Sequence, residues 1–155
     1  MPDHPNAASR RAVFNAYWER GDMTPMIEAT SPDYVWCNDE GAGPWRRLEG
    51  VAESTVFTIW WAEFFEGTFR HELLDVCASD DHVIEVLREV GEKDGHVFDN
   101  VALYLYRLGP DGRYTSVQTF DRDRGAIREF WSHFPDVLAL DVEAVIAEML
   151  PIVAS

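Results

Sequence analysis

Basic side chains are scarce in this sequence: 13 Lys and Arg stand against 28 Asp and Glu, a formal net charge of −15 with a pI of about 4.5. So acidic a chain repels phosphate backbones, which argues against nucleic acid as a partner; the charge itself serves solubility. Cysteine is scarcer still. Cys37 and Cys77 cannot build a disulfide framework and lack the spacing of a metal site, which points to a reducing compartment. No run approaches the roughly 20 apolar residues that cross a bilayer. The start, Met1-Pro2-Asp3-His4-Pro5, has neither the basic residues nor the apolar stretch of a secretory signal. Together these absences predict a soluble cytoplasmic protein without a membrane partner. The histidines (4, 71, 82, 96 and 133) form no HxH or HxxxH pair, so no metal is expected. A Gly-rich phosphate loop, a P-loop and a Ser-His-Asp pattern are all missing, which excludes a nucleophile-based hydrolase and predicts no cofactor.

Aromatic residues are plentiful: six Trp, five Tyr and nine Phe in 155 residues, more than a small core requires. Such a surplus lines a pocket or a subunit interface. Apolar residues make up 46% and charged residues 26%, a folding composition with enough length for one core. With no repeat or long linker, one domain over 1–155 is expected, its core about 8–134 with a C-terminal helix about 141–150.

Val13, Phe14, Tyr17 and Trp18 recur at helical spacing over about 7–20, and Gly21 follows as a stop. Asp22 caps a short second helix to about Ala29, residues 33–38 read as a strand, and 39–49 as a loop. Val56, Phe57, Trp60, Trp61, Phe64 and Phe65 give 50–66 one broad apolar helical face. Beyond Gly67 the period changes to two, and 68–79, 82–93, 96–108 and 113–121 read as strands. Ser79-Asp80-Asp81, Asp94-Gly95 and Gly109-Pro110-Asp111-Gly112 separate them. Asp123 caps a helix through about His133. The order predicts an α+β fold, a cone-shaped curved antiparallel sheet with helices packed on its concave face and an open end for a small molecule.

Five segments carry a resemblance: AYWERGD (16–22), SPDYVWCN (31–38), LEGVAE (48–53), DGRYTSVQTFDRD (111–123) and AIREFW (126–131). On these the chain resembles the nuclear transport factor 2-like superfamily, and within it the SnoaL-like and ketosteroid-isomerase-like proteins. The resemblance covers about residues 8–134 and implies a cystatin-like α+β barrel. It implies function only through matching positions, because the fold hosts many activities. Where ketosteroid isomerases carry a Tyr on the first helix this chain has Phe14, and where their carboxylate base stands it has Asn38, which leaves that base absent unless the adjacent Asp39 turns inward; their second oxyanion donor falls at Tyr104. Of the Asp-Arg-Asp, Tyr and Asn set of limonene-type epoxide hydrolases, Trp36, Glu85, Leu87 and Thr119 replace all but Asn38. Neither mechanism is carried over. The acid/base Asp of SnoaL-like polyketide cyclases falls at Asp121, with Asp123 as the other match.

The resemblance therefore implies a cofactor-independent isomerase, cyclase or dehydratase of natural-product metabolism, acting by acid/base chemistry on a hydrophobic oxygenated metabolite. A non-catalytic ligand-binding or dimerisation module is the alternative. Asp121 is the expected proton carrier, Glu85 the second carboxylate, and Tyr104 and Asn38 the holders of a carbonyl or oxyanion. Tyr17, Trp36 and Trp61 are expected as walls, with Leu87, Asn100 and Thr119 also facing substrate. For Asp121 a helix cap is the other reading, and a one-residue slip would place Arg88 in the pocket instead of Glu85 and Glu89. His71 begins a strand and is expected at the surface, with a place facing the cavity as the other reading. The resemblance also implies a homodimer paired through the sheets, for which the face of Val83 and Tyr106 is the expected contact.

Overall fold

In the computed structural model, which describes residues 3–153, the chain runs α1 (Pro5–Arg20), α2 (Thr24–Glu28), β1 (Thr30–Cys37), a 3-10 turn (Glu40–Ala42), β2 (Arg47–Glu49) and α3 (Gly50–Phe64). It continues through β3 (Arg70–Ala78), β4 (His82–Lys93), β5 (His96–Leu108), β6 (Tyr114–Asp121), α4 (Arg124–Ser132), α5 (Pro135–Leu138) and α6 (Val142–Val153). α1 ends at Gly21, whose left-handed φ of 67° closes the last turn without a Cβ clash. Asp94 and Gly95, with φ of 51° and 79°, make the tight turn between β4 and β5 that an Asp-Gly pair favours. That turn sets a register running unbroken from Lys93↔His96 to His82↔Arg107.

The six strands form one curved, unclosed sheet in the order β2-β1-β6-β5-β4-β3. The meander β3 to β6 is antiparallel as expected, but β1 lies parallel to β6, which corrects a wholly antiparallel reading. Alternation within a strand fixes its two faces and does not say which edge receives a distant strand. β2 and α5, each only a few residues long, fall in stretches that carry no period.

Inside the curve, one core packs Phe14, Tyr34, Val76, Val83, Tyr106, Tyr114 and Val117 beneath α1. A second, mostly aromatic, joins Trp45, Phe57, Trp61 and Phe65 to Phe98, Phe130 and Trp131. The aromatic stripe of α3 is divided: Phe57, Trp61 and Phe65 turn inward, whereas Trp60 and Phe64 stack on each other (5.3 Å, 9°) and are only partly covered. Val145, Ile146 and Met149 of α6 pack against the same cluster.

Hydrophobicity alone misassigns β4. Its more apolar side, Ile84, Val86 and Val90, faces outward, while Glu85, Leu87 and Glu89 are buried, Glu85 at 0% exposure. Two buried carboxylates are tolerable because each has partners, Arg10 for Glu85 and His71, Tyr104 and Asn100 for Glu89. Arg88 is on the outer side, held to Asp99 at 3.0 and 2.7 Å. Val83 and Tyr106 share the inward face and are core residues, which corrects their assignment to a dimer surface.

Candidate functional site

A cavity of about 250 Å³ opens between α1, α2, α3 and the concave face of the sheet. Phe14, Tyr17, Trp18, Trp36, Trp61 and Phe69 form its walls, and Leu87, Ala102, Tyr104 and Thr119 its floor. Cross-strand pairing arranges the floor in rows. Asp121 lies opposite Ala102 and Ala102 opposite Leu87; Thr119 lies opposite Tyr104 and Tyr104 opposite Glu85; Asn100 lies opposite Glu89 and Glu89 opposite His71.

Asp121 lines the cavity at the end of β6 and does not cap α4; that cap is Asp123, which accepts from Ala126 N at 3.0 Å. The Asp121 carboxylate accepts from Gly41 N (2.5 Å) and from Asn100 Nδ2 (2.7 Å). Burial, reinforced by the charges of Asp39 and Glu89, raises its pKa above the ordinary value in spite of those two bonds. Gly41 is part of the site by close approach: a Cβ there would lie 2.5 Å from Asp121 Oδ1.

The same Asn100 nitrogen donates to Glu89 Oε2 at 3.0 Å, so one amide holds two carboxylates side by side. Asn100 itself stands behind them and is not among the cavity-lining residues. Glu89 also accepts from Tyr104 Oη (2.5 Å) and pairs with His71 Nε2 (3.1 Å). Burial pushes Glu89 up, but His71, Tyr104 and Asn100 outweigh it and hold the carboxyl below its ordinary value. Tyr104 is driven well above the ordinary phenol value by burial and by the Glu89 charge, so it stays protonated and donates.

Glu85 lines the cavity too, but Arg10 grips it through Nε (2.5 Å) and Nη2 (3.0 Å). The same guanidinium reaches Tyr106 Oη at 2.6 Å and lies 4.2 Å from the Tyr106 ring centroid. Glu85 is thus one half of a buried ion pair, and the carboxylate beside Asp121 is Glu89. Asn38 faces the cavity with its Nδ2 donating to Trp45 O (2.8 Å). Neighbouring Asp39 turns to the loop. It accepts from Asp121 N and Arg124 Nε, both at 3.0 Å, and these bonds overcome its burial to lower its pKa. Trp36 lines the wall, and its buried Nε1–H has no acceptor among the described residues.

Asp121, Glu85, Tyr104, Asn38, Tyr17, Trp36, Trp61, Thr119 and Leu87 therefore all border one cavity. His71 borders it as well, the second of its two expected placements and not the surface one. The β3–β4 register that sets it opposite Glu89 is the signal that finds it, and an eight-residue-plus strand read without its partner conceals it. Arg10 on α1 and Gly41 in the 3-10 turn were not legible as site residues, because each acts through a contact distant in sequence.

Residues 11–117 match the SnoaL-like domain family, and the chain belongs to that family. Its structural relatives include Bal32a from a soil-derived mobile gene cassette, 26% identical, with a TM-score of 0.71 over 81% of this chain and 95% of that one. A protein of unknown function with a cystatin-like fold from Xanthomonas campestris is 24% identical, with a TM-score of 0.68 over 83% of this chain and 98% of its own. A protein assigned as a SnoaL-like polyketide cyclase, from Jannaschia sp. CCS1, is 18% identical with a TM-score of 0.62, covering 79% and 91% of the two chains. No curated protein matches the sequence. Among the described residues no helix is long and apolar enough to cross a membrane.

Proposed function

We propose that the protein is an enzyme that moves protons on a hydrophobic, oxygenated small molecule, isomerising, cyclising or dehydrating it. The observation that carries this reading is the pair Asp121 and Glu89. They share one Asn100 amide, border an aromatic cavity, and are pushed in opposite directions, Asp121 up and Glu89 down. Two neighbouring carboxyls with pKa values driven apart have divided roles: one carries protons and the other stays ionised. Asp121 is the carrier. As a carboxylate it takes a proton from a carbon beside a carbonyl; the C–H electron pair becomes the C=C bond and the oxygen takes the charge. The Trp36 Nε1–H is a donor for that oxygen. The proton then returns at another carbon, or leaves with a hydroxyl as water. Membership of the SnoaL-like family and the assignment of the Jannaschia relative as a polyketide cyclase support this chemistry.

The test is exchange of the α C–H protons of 2-tetralone in D2O, followed by proton NMR. The wild-type protein is expected to accelerate exchange and Asp121→Asn to lose most of it. No acceleration by the wild type would make this a binding protein. Gly41→Ala is expected to slow the same exchange at least about tenfold, since the new methyl displaces the carboxylate it abuts, and small misplacements at a reacting group are costly.

We also propose that the chain pairs with a second copy through the outer face of the sheet. Val86, Leu103 and Phe120 lie opposite one another in an apolar row across three strands, with Ile84 and Leu105 beside it, and Phe120 is 44% exposed. Light scattering is expected to give a dimer for the wild type and a monomer for Phe120→Asp; a monomeric wild type contradicts the pairing.

A further inference from the structure

We propose that His71 is a second proton carrier of this cavity, and that it serves a flat molecule bearing an acidic hydroxyl, a phenol or an enol. The inference rests on the acid/base reading of the cavity given above and adds to it the substrate class. His71 stands on β3 directly opposite Glu89, with its side chain 16% exposed at the cavity wall. Its Nε2 is 3.1 Å from Glu89 Oε1, and Glu89 is kept ionised by three partners. An ionised carboxylate can only accept, so the imidazole places its hydrogen on Nε2 and leaves the lone pair on Nδ1. Nδ1 has no partner among the described residues. Trp18 and Phe69 bracket the ring at centroid distances of 4.8 and 5.0 Å, which fixes its orientation. A carboxylate behind an imidazole stabilises the imidazolium that forms when the far nitrogen takes a proton.

These groups define one step. The hydroxyl O–H bond of the bound molecule breaks, its proton passes to Nδ1, and the electron pair remains on oxygen. That pair becomes a C=O bond as the adjacent π electrons move to carbon, where protonated Asp121 supplies a proton and a C–H bond forms. A hydroxyl has become a ketone with no change of oxidation state. His71 is left holding the hydroxyl proton and Asp121 as a carboxylate, and proton exchange with water restores both. Aromatic walls on several sides favour a planar ring system as the occupant.

The test uses 2-naphthol as the probe and diethyl pyrocarbonate as the histidine reagent. Peptide mass spectrometry reads His71 separately from His82 and His133, which lie outside the cavity. The expected result is modification of His71 in the free protein and about tenfold protection by saturating 2-naphthol, with His82 and His133 unprotected. His71→Gln is expected to weaken 2-naphthol binding about tenfold by calorimetry, the effect of one hydrogen bond. If 2-naphthol binds but His71 is unmodified or unprotected, the role of His71 is overturned while that of Asp121 stands. If the wild type does not bind 2-naphthol, the reading of the cavity and this inference fall together. The reagent measurement needs no variant, so misfolding of His71→Gln does not decide the outcome.

Discussion

Replacing Arg10 with methionine is expected to lower the unfolding free energy by about 3–5 kcal/mol, the usual cost of leaving a buried charge without its partner. Arg10 and Glu85 have side-chain exposures of 3% and 0%, so losing the guanidinium leaves a buried carboxylate without its counter-charge. Burial alone would pull the Arg10 pKa down; the charge and hydrogen bonding of Glu85, together with Tyr106 and Tyr114, outweigh it and raise the pKa well above the ordinary value. Tyr106 loses its donor in the same substitution. For a chain of this length the loss amounts to roughly a 10 °C fall in melting temperature, at 2–4 °C per kcal/mol. Arg10→Met with Glu85→Leu is expected to recover most of it, because the orphaned charge is removed as well. Urea denaturation checks both; a loss below about 1 kcal/mol for the single variant contradicts a buried pair.

Asp121→Asn is expected to cut 2-tetralone exchange by about 10²–10⁴, the range that a positioned acid or base contributes. The amide keeps the shape and can still accept from Gly41, but it cannot carry the proton. Stability moves the other way from activity. A carboxyl whose folded-state pKa is raised binds its proton more tightly in the folded chain. Folding is therefore penalised progressively as pH climbs from the unfolded value through the folded one. Above that window the ionised carboxylate opposes folding and the neutral amide does not, so at neutral pH Asp121→Asn is expected to melt within a few degrees of wild type. Full exchange activity in a folded Asp121→Asn protein would remove this residue from the chemistry.

How far this site could be read from the sequence depends on the reach of each contact. Period-two alternation places all four long strands, because strand geometry is local, whereas the shared inward face of Leu87, Ala102, Tyr104, Thr119 and Asp121 follows from the positions matched by the family resemblance. The Asp94-Gly95 turn fixed the β4–β5 register, and with it the position of Glu89 opposite Asn100. Asp123 was legible as a cap because its bond is made three residues on. What escaped was decided at long range. Glu85 looked like a spare acid until Arg10, from the first helix, was found gripping it. His71, at the start of its strand, can be read either way from sequence, and the pairing with β4 decides for the cavity over the surface. Val83 and Tyr106 were misplaced to the outside although Tyr106 shares its parity with Tyr104. Read alone, the apolar side of β4 points to the wrong face, whereas the inward set of Glu85, Leu87 and Glu89 implied by the resemblance is the buried one; paired carboxylates can occupy a core that unpaired ones cannot.

Asp121 and Glu89, held by one amide, are expected to titrate apart, and carbon-13 NMR of their side-chain carboxyls reads both titrations. Asp121 is expected to titrate above the ordinary ~3.9 and Glu89 below the ordinary ~4.3. An Asp121 that titrates at or below its ordinary value would contradict this, because such a carboxylate is a structural acceptor for Gly41 and Asn100 and not the proton carrier of the cavity.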